Sequence, residues 1–123
     1  MRPTLIALCL APALSSCAAA VVAAGAAVGY VQYDRNEAWR DFEASPDDVW
    51  KASLAAVHAT GLAVPAGVQL GSTEGEIEVD DLHLRVERHP GDFVRVRVRY
   101  GTFDTEDHRR RARLLLEDIA ARL

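Results

Sequence analysis

From Glu76 onward apolar and polar residues change places almost one by one. Ile77 and Val79 alternate with Glu76, Glu78 and Asp80; Leu82, Leu84 and Val86 with His83, Arg85 and Glu87; Val94, Val96, Val98 and Tyr100 with Arg95, Arg97 and Arg99. A period of two sends neighbouring side chains to opposite faces, so the pattern predicts three strands, each with one buried face. Asp80-Asp81 and "HPGD" at 89–92 supply turn chemistry between them, and connections this short make neighbours antiparallel. Two weaker strands are predicted at about 37–44, "EAWRDFEA", and 62–70, "LAVPAGVQL", where Pro65 and Gly67 point to an edge or a bulge.

The period becomes helical in two places. In "SPDDVWKASLAAVHATG" Ser45 stands as N-cap, Pro46 at the first helical position, Asp47 and Asp48 at the positive end of the helix dipole, and Gly61 as the stop. Val49, Trp50, Leu54 and Val57 gather on one side. Near the C-terminus Asp104 is the expected cap, with Asp107 three residues on, and Ala112, Leu115, Leu116, Ile119 and Leu123 form an apolar stripe. The expected fold is α+β, an antiparallel sheet in the order β-α-β-β-β-β-α with both helices packed on one face.

The first 33 residues carry no Asp or Glu, and Arg2 is the only basic residue before Arg35. "MRPTLIALCLAPALSSC" has a basic start, an apolar run from Leu5 to Leu14 and small residues at Ser15 and Ser16, the layout of a secretory signal. A cysteine directly after Leu-small-small makes "LSSC" resemble the lipobox of bacterial lipoproteins. That resemblance implies cleavage before Cys17, a diacylglyceryl group on its thiol and acylation of the new amino group. Ala18 rather than Asp after the cysteine implies sorting to the outer membrane if the host is Gram-negative. The competing reading is an uncleaved transmembrane helix over residues 3–33, since no charge interrupts that stretch. "AAAVVAAGAAVGYV" reads as an Ala/Gly-rich spacer, with Gly25 and Gly29 at the GxxxG spacing that lets apolar helices approach closely. The expected organisation is a signal peptide over 1–16, lipidated Cys17 and spacer over 17–36, and one small α+β domain over 37–123.

Charge and chemistry narrow the function. Beyond Ser16 the chain holds 13 Arg and Lys against 18 Asp and Glu, an acidic balance that argues against nucleic acid as a partner. Both cysteines, Cys9 and Cys17, precede the domain, so it has neither a disulfide nor a cysteine metal site. His58, His83, His89 and His108 form no close pair along the chain, and no nucleophile motif or phosphate-cradling glycine loop is present. The sequence therefore points to no enzyme activity, no cofactor and no metal. The remaining candidates are surfaces: an arginine ladder at Arg95, Arg97 and Arg99 on the polar sheet face; Trp50 and Phe103 lining a site between sheet and helices; and "HRRRAR", with Arg109–Arg113, facing anionic head groups. Against the first and last stand nearby carboxylates, which make ordinary ion pairs of the same residues.

"LSSCAAAVVAAGAAVGY", "EASPDDVWKASLAAVHATGL" and above all "VRVRYGTFDTED" at 96–107 resemble the small bacterial lipoproteins grouped as domain of unknown function 3568. The likeness runs from Leu14 to Leu123 and departs at the abrupt Asp80-Asp81 turn, where relatives have a longer polar hairpin. It implies location and architecture, with no activity attached. The expected protein is a lipid-anchored, non-enzymatic structural or interaction module facing the periplasm. Its expected partners are the membrane, through acyl chains on Cys17, and another envelope protein. The alternative is a small-ligand or lipid-binding module held by an uncleaved N-terminal helix.

Overall fold

The computed structural model describes residues 27–123. The expected signal peptide, Cys17 and Gly25 lie outside the described residues. The elements are β1 (Ala27–Asp34), β2 (Glu37–Phe42), α1 (Pro46–Ala59), β3 (Glu74–Val79), β4 (Leu82–His89), β5 (Phe93–Tyr100) and α2 (Glu106–Ala121). They build one antiparallel sheet in the spatial order β1-β2-β5-β4-β3. Three of its four pairings are hairpins. The fourth, β2 against β5 from Glu37↔Arg99 to Phe42↔Val94, joins the first hairpin to the last three strands.

The sheet has the expected five strands, but one of them is different, and the order is β-β-α-β-β-β-α. No strand forms over 62–70. Pro65 has no N–H for a ladder and Gly67 turns the backbone to φ +84°, yet Leu62, Val64, Val68 and Leu70 still pack against the core. The alternation there reports burial without strand pairing. The fifth strand is β1, inside the expected spacer: Tyr30, Val31 and Tyr33 are aromatic and β-branched residues that suit a pleated surface. The sheet thus starts at Ala27 rather than at 37, and Gly29 sits in a strand instead of a helix. A single helix over 3–33 does not extend through residues 27–33, and among the described residues no helix is long and apolar enough to cross a membrane. On β1 three residues between Val28 and Gln32 face one, Arg40, between Asp41 and Trp39 on β2, a bulge that discourages a further strand from adding at this edge.

Capping explains where the helices begin. Ser45 Oγ accepts the Asp48 N–H at 3.1 Å and Pro46 opens α1, as its sequence predicts. At α2 the cap is Thr105, whose Oγ1 accepts the His108 N–H at 3.1 Å, and not Asp104. Asp104 is instead engaged by Arg109, whose Nε and Nη2 donate to its two oxygens at 2.6 and 2.7 Å.

Both helices lie on one face of the sheet. Phe42, Ile77, Leu84, Val86, Val96 and Val98 pack from the strands against Val49, Val57, Leu116 and Ile119 of the helices, all fully buried. Ser53, the one polar residue fully buried among the described residues, donates to Val49 O at 2.7 Å and so leaves no unpaired hydroxyl there. Trp50 closes one end by packing against Gly75, where an added Cβ would stand 2.8 Å from its ring.

The β1–β2 turn has only two residues, Arg35 and Asn36, and Arg35 has φ 58°, a conformation that costs a side chain with a Cβ about 1–2 kcal/mol. Arg35→Gly is expected to raise the unfolding free energy by up to about 1 kcal/mol. An unchanged or lower urea midpoint in that variant would show that the arginine side chain itself holds the turn.

Candidate functional site

The sheet face turned away from the helices carries the arginine ladder, and register decides what each arginine meets. Trp39 stands opposite Arg97, Arg97 opposite Arg85 and Arg85 opposite Glu76; Arg95 stands opposite Asp41 on one side and Glu87 on the other. Arg95 forms a fork on Asp41, Nε to Oδ1 at 2.7 Å and Nη2 to Oδ2 at 3.1 Å, while its Cζ lies 3.9 Å from the Trp39 ring centroid. Arg97 donates to Glu87 Oε1 and Glu37 Oε1, each at 3.0 Å. Arg99 differs from both. It donates to His83 Nδ1 at 3.2 Å and has no carboxylate within 4.0 Å among the described residues.

Glu87 is the hinge of this network. Two guanidiniums directly opposite each other, Arg85 and Arg97, repel, and Glu87 Oε1 takes a hydrogen bond from both, at 3.4 and 3.0 Å. Its other oxygen meets His89 Nε2 at 3.0 Å, and the side chain is only 16% exposed. Burial pushes the Glu87 carboxyl up, but the His89 and Arg97 hydrogen bonds and the charges of Arg97 and Arg85 outweigh it and hold the group below its ordinary value. Arg97 responds in kind: burial lowers its pKa, and the bonds to Glu37 and Glu87 more than reverse this. The face is therefore a knit layer of ion pairs rather than a row of free cations.

A second surface forms at the loop between β5 and α2. Gly101 has φ +66°, and a Cβ on it would lie 2.5 Å from the His108 ring, so only glycine lets that imidazole close over the backbone. Gly101 N–H donates to Asp81 O at 2.8 Å. Asn36 Nδ2 donates to Thr102 O at 3.0 Å, and His108 Nδ1 to Phe103 O at 2.9 Å, which places the ring proton on Nδ1. Each backbone unit of "GTF" is thus tied. The Phe103 ring nevertheless stands 76% exposed, and Tyr33 is 44% exposed.

The structure does not bring Trp50 and Phe103 together. Trp50 is a core residue over Gly75, and Gly75 pairs with Val86 and through it with Val96, towards the end of the sheet opposite to that where Phe103 follows Tyr100. The described grooves open on the outer surface, one beside α1 and the end of α2 at Ala44, Ala52, Ala55 and Leu123, another at Tyr100, Leu114 and Leu115. The "HRRRAR" cluster is likewise paired: Arg109 with Asp104, Arg110 with Asp107, Arg111 with Asp81 at 3.0 Å and over Tyr100 at 4.3 Å, and Arg113 with Glu117 at 3.9 Å. These pairs leave little uncompensated charge for anionic head groups.

Histidine spacing along the chain is blind to what faces His83 across the β3–β4 ladder. The register sets it opposite Glu78, with Glu76 two residues away on the same face. His89 stacks on Phe93 at 5.2 Å and bonds Glu87, and His58 lies exposed on α1.

The family model described as "Protein of unknown function (DUF3568)" matches residues 1–122. No curated protein matches the chain.

Because Glu87 is held low, it contributes stability that is complete above the ordinary carboxyl value of 4.5 and is lost as pH falls through its lower folded value. Glu87→Gln is expected to lower the urea midpoint at pH 7 and to flatten the loss of stability below pH 4.5. A variant that keeps the full acid dependence of the parent would place the responsible carboxylates elsewhere.

Proposed function

The chain belongs to the DUF3568 family, a membership that brings no activity with it, and we propose that the protein is a lipid-anchored envelope protein that works by binding another envelope component. It is a non-enzymatic interaction module, tethered through acyl chains on Cys17 and facing the periplasm. Two or more acyl chains hold a protein stably at a bilayer. Ala27, where β1 begins, stands ten positions after Cys17, a reach of at most about 35 Å. The domain would therefore ride close to the membrane with its Ala27 end nearest the lipid.

The observation that carries the binding reading is Phe103. The large apolar side chains of the domain are mostly spent in the core, yet this ring is 76% exposed on a loop whose backbone is fixed at three successive residues. An aromatic side chain displayed by an already ordered backbone loses little entropy on binding, which is what an interface anchor needs. It lies at the end of the sheet away from Ala27, because Ala27 pairs level with Phe42 and Val94 while Phe103 follows Tyr100. That position favours a protein partner over the anchoring bilayer.

Intact mass of the membrane-extracted protein tests the anchor. A chain beginning at Cys17 with acyl groups is expected, and Cys17→Ser is expected to stay uncleaved; the full unmodified mass would sink the lipoprotein reading. For the surface, a photocrosslinking residue at position 103 in intact cells is expected to give discrete adducts that the same residue at Lys51, at the other end of the domain, does not. Phe103→Ser should change folding stability by less than about 0.5 kcal/mol, as for other exposed positions. Equal labelling from both positions would remove Phe103 as the anchor.

A further inference from the structure

His83 Nε2 is fully buried and has no hydrogen-bond partner among the described residues. It points between two carboxylates, 3.5 Å from Glu78 Oε1 and 3.8 Å from Glu76 Oε1. Both separations are too long for a good hydrogen bond. They are within a few tenths of an ångström of the roughly 3.3–3.5 Å between neighbouring ligands of a tetrahedral zinc ion with bonds of about 2.0–2.1 Å. One ligand atom from each of Glu76, Glu78 and His83 fits within a sphere of mutual distances below 4.8 Å. We propose that these three residues form a binding site for a divalent transition metal of the zinc type.

The donor set decides the class of ion. One imidazole with two carboxylates suits zinc and its neighbours, whereas calcium and magnesium take oxygen ligands almost alone. Three protein ligands leave a coordination position for water. The scaffold is suitable: Glu78 and His83 are locked opposite each other by the β3–β4 ladder, and Glu76 follows on the same face of an edge strand. Charge also favours a cation there. Glu74, Glu76 and Glu78 stand along β3, and the cations in contact with this group are Arg85, whose Nε donates to Glu76 Oε1 at 3.2 Å, and Arg99, whose Nη2 donates to His83 Nδ1 at 3.2 Å.

Arg99 makes the site conditional. A guanidinium only donates, so in the metal-free protein Nδ1 carries the lone pair and the imidazole proton sits on Nε2. A metal needs the Nε2 lone pair. The proton then moves to Nδ1, with no net gain or loss, and Arg99 has to leave because two donors now face each other. Glu37, directly opposite Arg99 on β2, is the carboxylate to which it can turn. Metal binding at His83 and release of Arg99 are therefore one event.

Calorimetric titration of the full chain in detergent with zinc chloride at neutral pH tests this. One saturable site is expected, weakened at least tenfold in His83→Gln and in Glu78→Gln, and tightened several-fold in Arg99→Met, since the competing hydrogen bond is gone. Nitrogen-15 spectra of the imidazoles should show the His83 proton on Nε2 before zinc and on Nδ1 after it. Absence of a saturable site in the folded protein overturns the proposal, as does zinc binding unaltered in His83→Gln, which would mark unspecific carboxylate binding. Unchanged or weaker binding in Arg99→Met overturns the coupling. None of these readouts depends on the anchor or on Phe103.

Discussion

The antiparallel pairing of β2 with β5 is the constraint on which the rest of the structure depends. It is the one strand pairing made without a hairpin, across a separation of more than fifty residues, so the chain closes a long loop before any contact there stabilises it. Both faces of the pairing contribute. Ala38 opposite Val98 and Phe42 opposite Val94 face the core, while the Arg95 fork on Asp41 and the Arg97 bond to Glu37 cross the same two strands on the other side. α2 lies over this junction, packing on β5 and β2 together. The burial of Leu115, Leu116 and Ile119 against that seam is what holds the first hairpin to the last three strands.

The same pairing determines what the polar face can do. Its arginines are each shielded by more than half and, apart from Arg99, committed to carboxylates. An incoming anion would have to replace bonds of 2.7–3.0 Å that the register has already formed. Ion pairs of this half-buried kind fix register and twist more than they add affinity for outside ligands. Arg99 is the exception because its nearest polar neighbour on β4 is an imidazole, and an imidazole can change which nitrogen accepts.

Much of this architecture was legible because burial in a one-sided sheet enforces a period of two. The strands at β3, β4 and β5, the Asp80-Asp81 turn, the start of α1 and the placing of both helices on one face all follow from residues seen in order. Two strand readings failed for physical reasons. The 62–70 segment alternates because its apolar side chains reach the core, but Pro65 and Gly67 deny it a ladder. β1 was hidden because alanine and glycine dilute its composition, and only Tyr30, Val31 and Tyr33 signal a strand. The surfaces were harder still. Which carboxylate meets which arginine, and that Glu76 and Glu78 meet His83, are facts of register between strands, and periodicity within a strand carries no register.

Three local features gather at one end of the sheet, while a further strained residue, Asp92 with φ 64°, stands in the turn at the other. Arg35 holds a backbone conformation that glycine would adopt more easily, Gly101 is required by the closeness of His108, and Phe103 leaves an aromatic ring in water. All three meet at one end of the sheet, where the Asn36 side chain bonds the carbonyl of Thr102 and so joins the β1–β2 turn to the loop before α2. Selection for stability alone would relax Arg35 and Phe103, since each of those substitutions is local and inexpensive. Both stand at the end that holds "GTF", where the backbone is most firmly tied. In the proposed function, a partner surface that reads the ring and the turn together would be the reason to keep them, which the packing of the core, already complete without them, does not supply.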